Sequence, residues 1–232
     1  MAPGLRPGRM SPAYAELPAL RLAYRAWGPP DGRPVLWLPG ASSDGTTFEQ
    51  VAALLPVRSY ALDPRGYFAS DRAAAYGPET TRDDVIAFLD ALGIDRAVLA
   101  GHSAGGVAAW RTALAHPDRI EAVILEETPP PVPHALHPRR PEGDPGYDWA
   151  ARLATLAVVN DPPEAWWDDL SRIAVPALVL AGGPESHLDQ DAIRRMAAAI
   201  PGSSFVSVGG GHACHRARPA PFAAAVRDFL HV

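Results

Sequence analysis

Cysteine is scarce in this chain, and its scarcity limits how the fold can be stabilised. Cys214 is the only cysteine among 232 residues, so no intrachain disulfide can form. Hydrophobic residues make up 47% of the sequence, which is enough for the core of one enzyme-sized domain. A chain without disulfides fits a reducing compartment, and we expect a cytoplasmic protein.

Long apolar runs and basic stretches are also missing. No run approaches the roughly 18 apolar residues of a membrane span, and the segment 1–18 has no apolar region of the kind found in a secretory signal. The formal net charge is −5, and no basic stripe is present. We therefore expect no membrane association, no secretory signal and no nucleic-acid partner, whereas the oligomeric state is left open.

Apolar strand patterns alternate with helical patterns along most of the chain. This alternation is typical of an α/β fold with a mostly parallel sheet and helices on both faces. The predicted strands span residues 20–27, 34–38, 58–63, 97–100, 122–125, 177–181 and 204–208. The predicted helices span residues 46–55, 80–92, 104–116, 190–200 and 219–230. Thr80, with Asp83 three residues later, is close to a capping box and predicts the start of the second helix.

The most informative stretch is the Gly-x-Ser-x-Gly sequence at 101–105. It lies between an apolar strand pattern and a helix-forming segment, and this context is typical of a nucleophile elbow. Such a turn places Ser103 at the tip of a strand in a strained conformation. Gly101 and Gly105 are needed because a Cβ there would collide with the neighbouring strand or helix. We predict that Ser103 is a catalytic nucleophile.

A serine hydroxyl needs a base within hydrogen-bond reach. His212 follows three glycines between the last predicted strand and the last predicted helix. Small residues at that place let a loop fold back over the sheet edge and direct the imidazole at Ser103. His215 comes three residues later, and we interpret it as a neighbour of the base.

The imidazole in turn needs a carboxylate that fixes its tautomer. Glu126 and Glu127 come at the end of the strand 122–125, and Glu185 follows the strand 177–181. Both strand ends should lie at the same edge of the sheet as Ser103. The order of the elements therefore does not decide between the glutamates.

From about Leu20 to Leu230 the chain resembles enzymes of the α/β-hydrolase fold. Four motifs carry the resemblance: Leu38-Pro39-Gly40-Ala41-Ser42, Asp63-Pro64-Arg65-Gly66, the Gly-x-Ser-x-Gly turn, and Gly210-Gly211-His212. Pro39 departs from the pattern, since many members carry histidine there. The resemblance implies a mostly parallel sheet flanked by helices, with a small helical cap inserted after the strand that follows the nucleophile helix. It implies no metal and no organic cofactor.

The resemblance also bears on the acid. In many members an aspartate follows the penultimate strand, and Glu185 falls on that position. In one branch of the haloalkane dehalogenases and in the zearalenone lactonases, the acid is a glutamate after the strand that follows the nucleophile helix. The stretch from Ser103 to Glu127 resembles this second arrangement without a gap. The resemblance therefore favours Glu127, with Glu185 and then Glu126 as alternatives.

Residues 129–172 interrupt the alternation with a proline cluster and two short helical patterns. We predict a core made of residues 1–128 and 173–232, with 129–172 as a small cap. The cap contains Trp149, Trp166 and Trp167. These rings either contact an apolar or aromatic part of a substrate or pack the cap onto the core.

These observations predict a serine hydrolase that cleaves a carboxylic ester or a lactone through an acyl-enzyme. The N–H groups of Ala41 and Ala104 would form the oxyanion hole, and Gly40, Ser42 and His102 would lie beside the substrate. Thioesterase, amidase and carbon–carbon bond hydrolase activities use the same machinery and stay open. A ligand-binding module, like the receptors that share this fold, is the alternative from another class. Epoxide hydrolases and dehalogenases require aspartate where this chain has Ser103.

Overall fold

The computed structural model describes residues 11–232. The expectation about a secretory signal concerns residues 1–18, and the first ten of these lie outside the described residues. The described chain forms one eight-stranded sheet. Its strands are β1 (Ala13–Glu16), β2 (Arg21–Trp27), β3 (Pro34–Leu38), β4 (Arg58–Leu62), β5 (Ala97–His102), β6 (Ile120–Glu126), β7 (Ala177–Ala181) and β8 (Ser204–Ser207).

The helices connect these strands and follow the last of them. They are α1 (Glu49–Ala52), α2 (Pro78–Ala91), α3 (Ala104–Ala115), α4 (Trp149–Asn160), α5 (Trp166–Ser171), α6 (Gln190–Ala199), α7 (Cys214–Ala217) and α8 (Pro219–Leu230). Short 3-10 turns precede α1, at Gly45–Phe48, and follow β7, at Gly183–Glu185. None of the helices between residues 11 and 232 is long and apolar enough to cross a membrane.

The sheet has the order β1-β2-β4-β3-β5-β6-β7-β8. The six strands from β4 to β8 in this order run parallel, whereas β2 is antiparallel to both of its neighbours. The carboxyl ends of β5, β6 and β7 therefore meet at one edge of the sheet, which is where parallel α/β sheets form their sites. The expected α/β architecture is confirmed.

The core lies on both faces of the sheet because side chains alternate along each strand. In β3, Val35 and Trp37 face the layer that holds α1 and α8, whereas Leu36 and Leu38 face the layer that holds α2 and α3. All four side chains are buried. A central parallel strand is covered on both sides, which explains why β3 is a continuous apolar run.

Two elements differ from the sequence-based expectations. The helix predicted from Thr80 begins at Pro78, because proline fits the first helical turn; the Thr80 hydroxyl donates to the carbonyl of Gly77 at 2.9 Å and does not cap the helix. The helix predicted at 46–55 is a 3-10 turn followed by one helical turn. In addition, β1 and α7 were not predicted, since each is four residues long and β1 is largely exposed.

Backbone contacts fasten the segment 129–172 to the loop after β4. The N–H of Phe68 donates to the carbonyl of Gly146 at 2.6 Å, and the N–H of Asp148 donates to the carbonyl of Gly66 at 2.7 Å. The Tyr76 hydroxyl donates to the Asp148 carboxylate at 2.8 Å. The same carboxylate caps α4 through the N–H of Ala150. These contacts fix the start of α4 next to the carboxyl end of the sheet.

Candidate active site

Ser103 lies in the turn between β5 and α3. Its φ of 53° and ψ of −121° fall outside the regions that serine ordinarily adopts. The surrounding structure enforces this conformation: the N–H of Ser103 donates to the carbonyl of Glu126 at 2.9 Å. A Cβ on Gly105 would lie 2.0 Å from the carbonyl oxygen of Leu38, and one on Gly101 would lie 2.3 Å from the carbonyl oxygen of Gly105. Only glycine allows this close packing of strand and helix.

Glu127 directly follows β6 and, like Ser103, has a strained backbone. Its φ is 44°, in the left-handed region, and its side chain is fully buried. The N–H of Glu127 donates to the carbonyl of Leu180 at 2.9 Å, which continues the contact with β7. Strained residues of this kind concentrate at functional sites. Here the two strained residues directly follow the neighbouring strands β5 and β6.

The Glu127 carboxylate is surrounded by hydrogen-bond donors. Oε1 accepts from the N–H of Gly182 at 2.5 Å and from Nε2 of Gln190 at 3.1 Å, and Oε2 accepts from the hydroxyl of Ser186. Oε2 also lies 3.3 Å from Nδ1 of His212. Burial alone would raise the pKa of Glu127. The hydrogen bonds, with that of His212 first, outweigh burial and hold the pKa below its usual value.

An ionised Glu127 fixes the tautomer of His212. A carboxylate only accepts hydrogen bonds, so Nδ1 of His212 must carry the proton and Nε2 is left bare in the neutral ring. Nε2 makes no hydrogen bond to the described part of the chain. The His212 side chain is 26% exposed. The arrangement can therefore accept a proton at Nε2 and stabilise the resulting cation.

Glu126 and His215 form a second, deeper pair. Oε1 of Glu126 accepts from Nδ1 of His215 at 2.8 Å, from its backbone N–H at 2.9 Å and from the thiol of Cys214 at 3.1 Å. Nε2 of His215 lies 2.7 Å from the Thr47 hydroxyl. Both side chains are almost completely buried. Burial would raise the pKa of Glu126, but the charge and hydrogen bonds of His215 hold it at about 2.

His102 links this deeper pair to the loop of His212. Its Nε2 lies 2.7 Å from the carbonyl oxygen of His212, which can only accept, so Nε2 carries the proton. Burial lowers the pKa of His102 to about 4, and the ring is therefore neutral near pH 7. The structure places His102 behind the site as a support for the His212 loop, away from the cavity lining.

One group among the described residues has the composition of a metal site. His102, Glu126 and His215 place ligand atoms within 4.8 Å of one another. The 2.8 Å between Nδ1 of His215 and Oε1 of Glu126 is a hydrogen-bond distance. Two ligands of one tetrahedral ion, each about 2.0–2.1 Å from the metal, lie farther apart than this. The geometry is that of a hydrogen-bonded network.

An apolar cavity opens at the same edge of the sheet. Ala41 and Ala104 line it together with Pro39, Gly40 and Gly105. Ala104 is the first residue of α3, and the first N–H groups of a helix have no partner within the helix. The N–H groups expected to form an oxyanion hole therefore belong to residues that line the cavity.

The other residues singled out from the sequence lie elsewhere. Glu185 is exposed in its loop, and the pair formed by Glu126 and His215 is buried in the core. Ser42 is partly buried, with a φ of 70°, and does not line the cavity. Its contact with a substrate stays a prediction, as does that of His102.

The three cap tryptophans do not line the cavity either. Trp166 is buried and packs edge-on against Trp110, with ring centroids 5.2 Å apart. Trp167 packs against the same core, and Trp149 is partly buried. These contacts join the segment 129–172 to the core. A part in substrate selectivity stays a prediction.

Sequence analysis missed the residues that surround the candidate acid and base. Gly182, Ser186 and Gln190 hold the Glu127 carboxylate, and their loop carries no recognisable motif. His187 belongs to the same loop, and its ring centroid lies 4.3 Å from that of His212. A histidine two residues after Glu185 was the available signal.

Comparison with known proteins agrees with this architecture. A model of the α/β-hydrolase fold family matches residues 33–170. A proposed carbamate hydrolase of Caulobacter sp. (strain K31), RutD, is 29% identical over 245 residues, which cover 86% of this chain and 91% of that protein. Because the family model matches more than half of the chain, the chain belongs to the α/β-hydrolase fold family and is a hydrolase of that family.

Solved structures show the same fold over nearly the whole chain. A hydrolase from Pseudomonas aeruginosa PA01 has a TM-score of 0.82 at 23% identity, covering 98% of this chain and 100% of that one. Est816, described as an N-acyl homoserine lactone degrading enzyme, has a TM-score of 0.79 at 25% identity, covering 94% of this chain and 100% of that one. The α/β-hydrolase fold thus extends over nearly the whole chain.

Proposed function

We propose that this protein is a serine hydrolase that cleaves a carboxylic ester or a lactone with Ser103, His212 and Glu127. The observation that carries the proposal is the contact of His212 with the buried Glu127, which leaves Nε2 of His212 as a base. Ser103 directly follows the neighbouring strand β5, in a strained turn. An apolar cavity with few charges suits an uncharged, largely apolar substrate.

The chemistry follows from these positions. Oγ of Ser103 attacks the substrate carbonyl and transfers its proton to Nε2 of His212. The N–H groups of Ala41 and Ala104 stabilise the tetrahedral oxyanion. His212 then protonates the leaving alcohol, and water hydrolyses the acyl-enzyme with His212 again as the base. The charge of Glu127 stabilises the imidazolium in both steps.

Two of the similar proteins, Est816 and RutD, support an acyl-transfer reaction and differ in the bond that their descriptions name. Est816 is described as degrading a lactone, which favours an ester or lactone here. RutD carries the name of a carbamate hydrolase, so a carbamate is the second candidate. Carbamates, thioesters and amides use the same nucleophile and base, and substrate panels separate them.

The test is turnover of p-nitrophenyl esters, lactones, thioesters and carbamates by the wild type and by Ser103→Ala. We expect turnover of an ester or lactone, and a loss of about 10⁴-fold or more in kcat for the variant. A fluorophosphonate should label Ser103 and no other serine. Near-wild-type activity in a clean Ser103→Ala preparation would refute the proposed mechanism.

A further inference from the structure

The apolar cavity next to Ala41 and Ala104 also has polar side chains in its wall. Most of its wall is aliphatic, with Leu22, Leu62, Val85 and Val107 among the lining residues. Tyr67 and Thr155 also line it. A hydrogen-bonding group in an otherwise apolar pocket is the usual means by which a site fixes the orientation of its ligand.

The Tyr67 hydroxyl has no hydrogen-bond partner of ordinary geometry among the described residues. The residue is 5% exposed, and its Oη makes no hydrogen bond of ordinary geometry within residues 11–232. A buried polar group without a hydrogen-bond partner destabilises the folded protein. Such a group is therefore expected to form a hydrogen bond with a ligand or a water molecule.

The surroundings decide that this hydroxyl acts as a donor. The Thr155 hydroxyl lies close enough to lower the pKa of Tyr67, but it donates its own hydrogen to the carbonyl of Ala151 at 3.0 Å. Its oxygen is not in hydrogen-bond geometry with Oη of Tyr67. Burial raises the pKa of Tyr67, so the phenol keeps its proton. A substrate group that satisfies Tyr67 must then offer an acceptor oxygen or nitrogen.

The ring that carries this donor is held in place. Tyr67 stacks on Tyr147, with centroids 5.4 Å apart and an angle of 25° between the planes. The backbones of Tyr67 and Tyr147 also form an isolated β-bridge. The hydroxyl is therefore oriented before any ligand binds, which lowers the entropic cost of binding.

The charges near the cavity favour an uncharged acceptor. Arg65 and Asp84 both line the cavity, but they neutralise each other: Nε and Nη2 of Arg65 each lie 2.5 Å from an oxygen of Asp84. Nη1 of Arg65 donates to the carbonyl of Ala75 at 3.2 Å. Each nitrogen of this guanidinium is thus already engaged, and Arg65 offers no free cation to a substrate carboxylate.

We propose that the Tyr67 hydroxyl donates a hydrogen bond to an uncharged acceptor, such as a keto or ether oxygen, on the part of the substrate that enters this cavity. The inference rests on the proposed function and narrows its substrate class. The substrate is then an ester or lactone with a second oxygen function, separated from the scissile carbonyl by an apolar stretch.

The test compares esters that differ only in this second oxygen. One series consists of phenyl esters of unbranched acids with four to seven carbons and of the same acids with a keto group at successive positions. A second series places the keto group on the alcohol of butyrate esters. For each pair, kcat/KM of the keto ester is divided by that of its hydrocarbon counterpart, in the wild type and in Tyr67→Phe.

Comparing this quotient between the wild type and Tyr67→Phe cancels the difference in intrinsic reactivity between the two esters of a pair. For at least one keto ester, we expect the quotient of the two kcat/KM values to be about 10-fold higher in the wild type than in Tyr67→Phe. One neutral hydrogen bond contributes an effect of about this size. The free energy of unfolding should not decrease in Tyr67→Phe, because no hydrogen bond within the protein is lost.

Tyr76→Phe is the matched control. Tyr76 lines the same cavity, but its hydroxyl donates to Asp148 and accepts from the N–H of Ala73 at 2.9 Å. Its loss should lower stability and leave the keto-ester preference unchanged.

Three outcomes are distinguishable. A preference that disappears in Tyr67→Phe and persists in Tyr76→Phe supports the inference. Hydrolysis of the esters with the same preferences in the wild type and Tyr67→Phe overturns the inference and leaves the proposed function intact. Failure of the wild type to hydrolyse any ester overturns both.

Discussion

Two glutamate–histidine pairs lie next to each other in this protein, and their environments give them different properties. Glu126 and Glu127 are consecutive, and their partners, His215 and His212, are three residues apart. His215 is 1% exposed and has both ring nitrogens engaged. His212 is 26% exposed and has only Nδ1 engaged among the described contacts. The same two residue types therefore form a structural pair in the core and a more exposed pair in which Nε2 of the histidine can accept a proton.

The backbone explains how consecutive glutamates reach different partners. Successive side chains of a strand point to opposite faces, and Glu126 follows this rule into the layer that holds α7 and α8. Glu127 leaves the strand with a φ of 44° and turns towards the loop after β7. The strained backbone of Glu127 therefore directs its side chain to a different histidine from the one that Glu126 contacts.

The largest expected effect comes from neutralising Glu127. In Glu127→Gln an amide NH₂ at the position of Oε2 would face Nδ1–H of His212, and the imidazolium would lose its counter-charge. We expect kcat to fall about 10⁴-fold, as for loss of the acid in other triads. The measurement is steady-state hydrolysis of the best ester.

Glu185→Gln is the control for this substitution. Because Glu185 is exposed, we expect kcat of Glu185→Gln to stay within a few-fold of the wild-type value. Should Glu185→Gln prove the crippling change and Glu127→Gln the mild one, the assignment of the acid would move to the other strand.

The second effect separates stability from catalysis. His215→Ala leaves the Glu126 carboxylate buried without its counter-charge, which costs about 3–5 kcal/mol of unfolding free energy. We expect the folded variant to keep kcat within about 10-fold, since the ring nitrogens of His215 contact Thr47 and Glu126 rather than His212 or Glu127. Urea unfolding and ester hydrolysis measure the two quantities.

His212→Ala gives the complementary result. It should abolish turnover with a smaller loss of stability. If both variants lost activity equally, the two pairs would act as one unit, and the distinction between them would be wrong.

The third effect is a pH dependence of stability. The pKa of His102 is lowered to about 4 in the folded protein from 6.5, so the unfolded chain binds the proton more tightly. Stability therefore falls as the pH drops from 6.5 to 4, by up to about 3 kcal/mol from this group. Glu126, with a pKa of about 2, contributes stability that is lost only below its unfolded value of 4.5.

His102→Gln tests this assignment, because its amide can still donate to the carbonyl of His212. We expect its unfolding free energy to decline less than that of the wild type between pH 6.5 and 4. His187→Gln, at an exposed histidine, should change the decline much less. Equal slopes for the wild type and His102→Gln would show that His102 does not control acid stability.

Local sequence patterns predicted most of the sheet and the elbow. Apolar runs bounded by glycine and proline specify buried strands, and the Gly-x-Ser-x-Gly turn leaves few alternatives at Ser103. The placement of His212 after three glycines was equally readable. Each of these signals is contained in a few consecutive residues, and over such short distances the sequence largely determines the local geometry.

Long-range contacts could not be predicted in the same way. The choice between Glu126, Glu127 and Glu185 depends on a φ value and on donors from Gly182, Ser186 and Gln190, which lie more than fifty residues away. The Tyr67 hydroxyl is likewise positioned by the stacking of its ring on Tyr147, which belongs to the segment 129–172. Such contacts follow from tertiary packing, which periodicity and propensity do not encode.

The lone thiol has a practical consequence. Cys214 is fully buried and donates to the Glu126 carboxylate; burial first, and then the negative charge of Glu126, raises its pKa, so almost no thiolate forms at neutral pH. Alkylating reagents therefore have no ready target in the native protein. A cysteine introduced at an exposed position of the segment 129–172 could carry a fluorophore as the single reactive thiol, without removal of Cys214.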